Sequence, residues 1–113
     1  SKVFVTGEVT TPASIVMRDG RLTLNEALGV AGGPNQLTAD SSQVFVVRST
    51  EQATPLVFHL NAASPQAYAV AEKFELQPKD VVFVDTASLV RWNRFISNLF
   101  PSAQTVQTVH SIK

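Results

Sequence analysis

The sequence predicts an α+β domain, a small mixed sheet wrapped over one principal helix, followed by a C-terminal amphipathic segment. Three observations carry this prediction. Short runs rich in Val and Phe are separated by turn residues, one helix-periodic stretch among them is bracketed by a start and a stop signal, and the end of the chain changes to a longer helical periodicity. With 113 residues, 44% hydrophobic and 16% charged, the chain can fill one modest core and leave a tail over.

The first apolar run, Val3-Phe4-Val5, is broken by Gly7 and by Thr10-Thr11-Pro12. Ile15-Val16-Met17 resumes it ahead of Asp19-Gly20, a strong turn dipeptide, so two strands around a turn are expected. Residues 22–33 are the best-specified local structure. Thr23 can cap a helix while Glu26, three residues on, returns a bond to the cap's own N–H, the capping-box arrangement, with Leu22 and Ala27 at the staple positions. Leu24, Ala27, Leu28 and Ala31 recur at i, i+3, i+4 and i+7, one narrow apolar stripe on a helix of about ten residues that depends on packing against a sheet. Gly32 can adopt the left-handed conformation that closes the helix, and Pro34 stops its continuation.

Residues 43–48 and 55–60 read as a hairpin across the polar Ser49-Thr50-Glu51-Gln52, with Leu56, Phe58 and Leu60 alternating with Val57 and His59. Ser64-Pro65 is a helix-start signal, Ser64 as cap and Pro65 at the first helical position, and predicts a short helix over residues 67–71. Phe74-Glu75-Leu76 and residues 81–84 supply one short and one fuller strand. Asp85-Thr86-Ala87-Ser88 is the natural boundary, giving a domain over residues 1–87 and a C-terminal amphipathic segment over residues 88–113.

The ordered set Val5-Thr6-Gly7-Glu8-Val9-Thr10-Thr11-Pro12, Leu22-Thr23-Leu24-Asn25-Glu26-Ala27-Leu28-Gly29-Val30-Ala31-Gly32-Gly33, Ala39, Val44-Phe45-Val46-Val47-Arg48, Phe58-His59-Leu60 and Leu76-Gln77-Pro78-Lys79-Asp80-Val81-Val82-Phe83-Val84 resembles a soluble-ligand-binding β-grasp (SLBB) domain. The resemblance covers most of residues 3–84 and implies a β-grasp-like sheet. Two positions depart from the family's pattern. Ala13 stands where a glycine usually follows the proline, so a type II turn with positive φ there would be strained and a different turn is expected. Lys79 stands where the family usually has the glycine of Pro-Gly-Asp.

Beyond residue 88, Leu89-Val90-Arg91-Trp92-Asn93-Arg94-Phe95-Ile96-Ser97-Asn98-Leu99-Phe100-Pro101 resembles the C-terminal segment of Wza-type outer-membrane polysaccharide export proteins. On a helical projection Leu89, Trp92, Phe95, Ile96, Leu99, Phe100, Ala103 and Val106 share one arc, while Arg91, Asn93, Arg94, Ser97, Asn98 and Thr105 fall opposite. Pro101 should kink this helix or end its first half, and the β-branched residues after it leave the state of residues 102–113 open. Such an arc has two uses. It can pack on the parent domain or a neighbour, or, as the resemblance implies, copies of it can form a ring that crosses the outer membrane, apolar face to lipid and polar face to a wet pore. Wholly helical, residues 89–113 would reach about 37 Å against a hydrocarbon core of about 30 Å. On the second use Leu89, Trp92, Phe95, Ile96, Leu99 and Phe100 face lipid or a partner, Arg91, Arg94 and Asn98 face lumen or solvent, and Trp92 suits an interfacial anchor.

Other functions find little in the chain. Nine basic residues balance nine acidic ones, which argues against nucleic acid as a partner. There is no cysteine, hence no disulfide or thiolate site, and no redox compartment can be read from that. His59 and His110 have no companion at metal-ligand spacing, and Glu8, Asp19, Asp40 and Asp80 sit in or beside turns, where solvated or capping acids are the norm. Gly29-Val30-Ala31-Gly32-Gly33 ends a helix and so does not cradle phosphate. Arg18, Arg21, Arg48, Tyr68 and Trp92 offer donors and ring faces to a sugar, but one Tyr and one Trp far apart make no stacking platform.

No catalytic, cofactor or metal site is therefore predicted, and the chain reads as a non-enzyme. The resemblance implies a homo-oligomeric channel for capsular or exopolysaccharide in the periplasm and outer membrane of a Gram-negative bacterium, meeting an inner-membrane copolymerase. The alternative is a soluble ligand- or DNA-binding SLBB module, of the kind found in competence receptors, with its helix packed on its own domain. The chain opens inside an apolar strand without a charged n-region, apolar h-region or cleavage site, and is expected to be a fragment of a longer exported protein. Thr23→Ala, which removes the helix cap, is expected to lower unfolding free energy by about 1 kcal/mol in urea denaturation.

Overall fold

The computed structural model describes residues 1–7, 9–32, 43–51, 55–62, 66–84, 94, 98 and 109–112. In chain order these form β1 (Lys2–Gly7), β2 (Ala13–Val16), α1 (Leu24–Val30), β3 (Val44–Arg48), β4 (Leu56–Leu60), α2 (Ala67–Lys73), β5 (Val81–Val84) and β6 (Val109–Ser111). The strands make one six-stranded mixed sheet in the order β2-β1-β5-β3-β4-β6. The α+β, β-grasp-like expectation holds, with two equal helices of seven residues where one principal helix was expected.

Alternation along the strands sorts the side chains onto two faces. Val3 and Val5 of β1, Ile15 of β2, Val44 and Val46 of β3, Leu60 of β4 and Val82 and Val84 of β5 are buried in one core with Leu24, Ala27 and Ala31 at α1 and Ala67 and Ala71 of α2. Both helices therefore lie on one side of the sheet. The opposite side has its own smaller cluster of Val47, Val57 and Phe83, with Phe45 and Val81 packed against it. Central strands apolar on both faces are what a sheet needs when both of its sides are covered.

Local chemistry accounts for the elements. The capping box at α1 is complete, with Glu26 N–H donating to Thr23 Oγ1 (3.2 Å) and Thr23 N–H donating to Glu26 Oε1 (3.0 Å). Bonds from the Thr23 backbone and then its side chain hold the Glu26 carboxyl below its ordinary range, so the box's contribution is present at neutral pH and is lost as pH falls through that lowered value. Gly32, with φ of 80°, closes the helix as expected. Asp19-Gly20 forms the turn, closed by Arg21 N–H to Arg18 O at 2.9 Å. Ala13 opens β2 opposite Val5 and is not among the positive-φ residues, so the chain has avoided the strained turn.

Two local expectations between Ser64 and Leu76 are corrected. The cap of α2 is Gln66, which makes no side-chain cap bond, so the helix runs over Ala67–Lys73; Ser64 and Pro65 lie outside the described residues. Residues 74–76 form only a bridge, Thr23 to Glu75, flanked by Leu24 N–H to Phe74 O (2.9 Å) and Leu76 N–H to Leu22 O (2.8 Å). That bridge stitches the entry of α1 to the exit of α2.

Asp80 is the buried acid of the domain and corrects the reading of it as a solvated turn residue. Its side chain has no exposure, accepts from Arg48 Nη2 at 2.9 Å and Nε at 3.1 Å, and accepts from Gln77 N–H at 2.9 Å. The Arg48 guanidinium lies 5.0 Å from the Phe58 ring and 5.6 Å from the Phe74 ring, which themselves meet edge-on at 5.2 Å. Lys79, just before it, has φ of 70°, and Asp80 N–H returns to Gln77 O at 3.0 Å. This is the left-handed turn for which the family's glycine is suited, made here by a lysine.

Removing one partner of a buried pair strands the other, whereas replacing both with apolar residues does not. Asp80→Ala or Arg48→Ala is expected to cost about 3–5 kcal/mol, and Arg48→Met with Asp80→Leu much less than the sum. Urea titrations of the four proteins check this. Lys79→Gly is expected to raise stability by about 1 kcal/mol, because glycine carries no Cβ penalty in the left-handed region; thermal unfolding would read it.

Candidate functional site

The C-terminal segment is the candidate functional element, and the sheet determines where its two ends sit. At the near end, β5 pairs in parallel with β1, Gly7 opposite Val84. A Cβ on Gly7 would come 2.1 Å from the Val84 carbonyl oxygen, so only glycine lets β1 and β5 approach at the point where the chain leaves the sheet. At the far end, β6 lies parallel to β4 with Val57, Phe58 and His59 opposite Val109, His110 and Ser111. Ile112 N–H then donates to His59 O at 2.9 Å, and the Ile112 side chain packs against the main core.

Between these ends Arg94 and Asn98 are helical and exposed. Four residues apart on a helix, they share one side, the polar side of the projected arc. Leu89, Arg91, Trp92, Phe95, Ile96, Leu99 and Phe100 lie outside the described residues. Residues 109–111 form a strand, so the helical reach of about 37 Å to residue 113 does not hold, and a helix starting at residue 89 has at most about 30 Å before β6 begins. Among the described residues no helix is long and apolar enough to cross a membrane.

The sugar-contact candidates do not assemble. Arg48 is taken by Asp80, Phe58 and Phe74. Arg21 pairs with Glu75 at 3.2 Å, both exposed. Arg18 and Arg21 do line an open groove of about 530 Å³ between β2 and α1, with Ile15 and Leu22, but Tyr68 is not part of its lining. Trp92 lies outside the described residues. His59 packs with its ring tilted against Phe45, centroids 5.0 Å apart, and among the described residues no group of three His, Asp or Glu gathers to hold a metal ion. Asp80, with its partners, is the one buried charge among the described residues, and its role is structural.

The family model described as the SLBB domain matches residues 1–84. The chain belongs to the SLBB family. A second model, described as the outer-membrane lipoprotein Wza C-terminal domain, matches residues 87–112. This SLBB chain is similar to the EPS I polysaccharide export outer membrane protein EpsA of Ralstonia nicotianae, 56% identical over 103 residues, covering 91% of the chain and 27% of that protein. It is also similar to the capsule polysaccharide export protein BexD of Haemophilus influenzae, 28% identical over 114 residues, covering 80% of the chain and 29% of that protein. The capsule polysaccharide export outer membrane protein CtrA of Neisseria meningitidis serogroup B is 28% identical over 99 residues, covering 70% of the chain and 25% of CtrA. The chain thus spans about a quarter of the length of these relatives, and their names describe export, not catalysis.

Proposed function

We propose that this SLBB domain and its tail are the part of a non-enzymatic outer-membrane translocon through which capsular or exopolysaccharide leaves a Gram-negative cell. The observation that carries the proposal is the pairing in one chain of an SLBB match over residues 1–84 with a Wza C-terminal match over residues 87–112. On this reading the domain stands in the periplasm as a ring-forming element of a homo-oligomer, and copies of the tail helix line a passage across the outer membrane. Leu89, Trp92, Phe95, Ile96, Leu99 and Phe100 face lipid or the neighbouring helix; Arg91, Arg94 and Asn98 face the lumen. The helical and exposed state of Arg94 and Asn98 supports that division.

Energetics favour a ring over a lone helix. An arginine at the centre of a bilayer costs about 2.5–3.5 kcal/mol on insertion scales, a cost avoided when the polar side meets water in a lumen. Wholly helical, residues 89–108 would reach about 30 Å, the thickness of a hydrocarbon core of about 30 Å. The polymer would pass down a hydrophilic lumen and be driven by other components, among them an inner-membrane copolymerase. The balance of nine basic and nine acidic residues speaks against the DNA-binding alternative. The return of residues 109–112 to β4 speaks for the packed-helix alternative.

Leu99→Asp, which puts a carboxylate on the apolar arc, is expected to lower the membrane-associated fraction by about a hundredfold, the equivalent of about 3 kcal/mol. The grasp domain should stay folded. Flotation on a density gradient measures the fraction; an unchanged one for this variant would overturn the barrel.

A further inference from the structure

The route from β5 to β6 is constrained by the sheet. β3 is antiparallel to both β5 and β4, and β6 is parallel to β4, so β4, β5 and β6 all point the same way. Connections between parallel strands of one sheet are right-handed in nearly all proteins. The first such connection, from β4 to β5, carries α2 over the helix-bearing face. The second, from β5 to β6, crosses the sheet in the opposite direction between strands of the same orientation. For both to have the same hand they must use opposite faces.

Burial points to the same face independently. Val47 and Val57 on the second face are 1% and 0% exposed and Phe83 is 6% exposed, yet neither α1 nor α2 lies over them. Side chains standing out from a sheet reach such values only when other groups cover them.

We infer that the chain between Val84 and Val109, which carries the helical Arg94 and Asn98, covers this second face over Phe45, Val47, Val57 and Phe83, and that β6 annealed to β4 is the latch that holds it there. The exposure of Arg94 and Asn98 fits, since they lie opposite the arc. Geometry makes the latched form incompatible with insertion. From Val84 to residue 109 is three strand spacings, about 14 Å, and about three residues along the strands, about 10 Å, hence about 17 Å across one sheet. A helix through a bilayer instead separates its ends by about 30 Å, on opposite sides of the lipid. The same arc cannot meet both Val57 and lipid. The latched tail is thus a water-soluble form that precedes membrane entry, and release of β6 from β4 is the step between them. This second half rests on the export reading; the docked tail does not.

The test compares three versions of the chain. Ile112→Pro removes the N–H given to His59 O and the side chain packed on the core. His59→Cys with Ser111→Cys joins facing partners of the ladder when oxidised. In buffer, acrylamide quenching of the single tryptophan, Trp92, reads docking; vesicles of phosphatidylcholine and phosphatidylglycerol read insertion. Trp92 should be shielded in the unaltered and oxidised chains and several-fold more quenched in Ile112→Pro. Ile112→Pro should partition to vesicles about tenfold more than the unaltered chain, given a lost hydrogen bond and a lost apolar contact. The oxidised pair should stay in water until reduced. Trp92 as open to quencher in the unaltered and oxidised chains as in Ile112→Pro, at the level of a free tryptophan, would overturn docking, and equal, measurable vesicle binding by all three would overturn the latch. Shielded Trp92 with no vesicle binding by any version, Ile112→Pro included, would support the docked tail and overturn the membrane reading.

Discussion

A carboxylate with no contact with water ties the domain together. Asp80 sits between α2 and β5, and its backbone oxygen receives Phe4 N–H of β1 at 3.0 Å while its side chain receives Arg48 of β3. Arg48 in turn rests against both the Phe58 ring on β4 and the Phe74 ring at the exit of α2. One buried ion pair therefore joins three strands and the loop between α2 and β5. A buried pair contributes little net stability against apolar residues of the same size, but it tolerates only one arrangement of its partners. Its value here is register: with Gln77 N–H also on the carboxylate, the turn into β5 has a single position relative to β3.

Most of the fold was legible because the chain announces its local structure. Thr23 and Glu26 are a short-range signal and were matched atom for atom; the Val- and Phe-rich runs gave β1 and β3 to β5 within a residue or two. The failures have physical reasons. Ser64-Pro65 is a helix-start signal, but α2 begins later, with Gln66 in a helical conformation as its cap. Residues 74–76 have strand composition, yet only one bridge forms because their neighbour is the three-residue entry to α1 and not a strand. Asp80 looks like any turn acid in sequence; its burial comes from Arg48, 32 residues away, and no local pattern encodes that.

The candidate site was legible as a pattern and not as a place. Arg94 and Asn98 follow from a 3.6-residue period, and the structure has both helical and exposed. β6 could not be found in this way: Val109-His110-Ser111 is too short to read as a strand, and parallel pairing with β4 is a long-range choice made by an open sheet edge. The apolar second face carried a faint signal. Val47 and Val57 sit where an alternating strand with one wet side would place polar residues, which marks a sheet covered twice.

The exit point of the tail also has a mechanical meaning. β5 is a central strand, held by β1 on one side over Phe4 to Gly7 and by β3 on the other over Val44 to Val47, and the tail leaves from its last residue, Val84. Tension drawn along the axis of β5 would load both ladders in shear, all their hydrogen bonds at once, instead of peeling them open singly. A tail anchored in this way can transmit force to the whole sheet without unravelling the strand it hangs from.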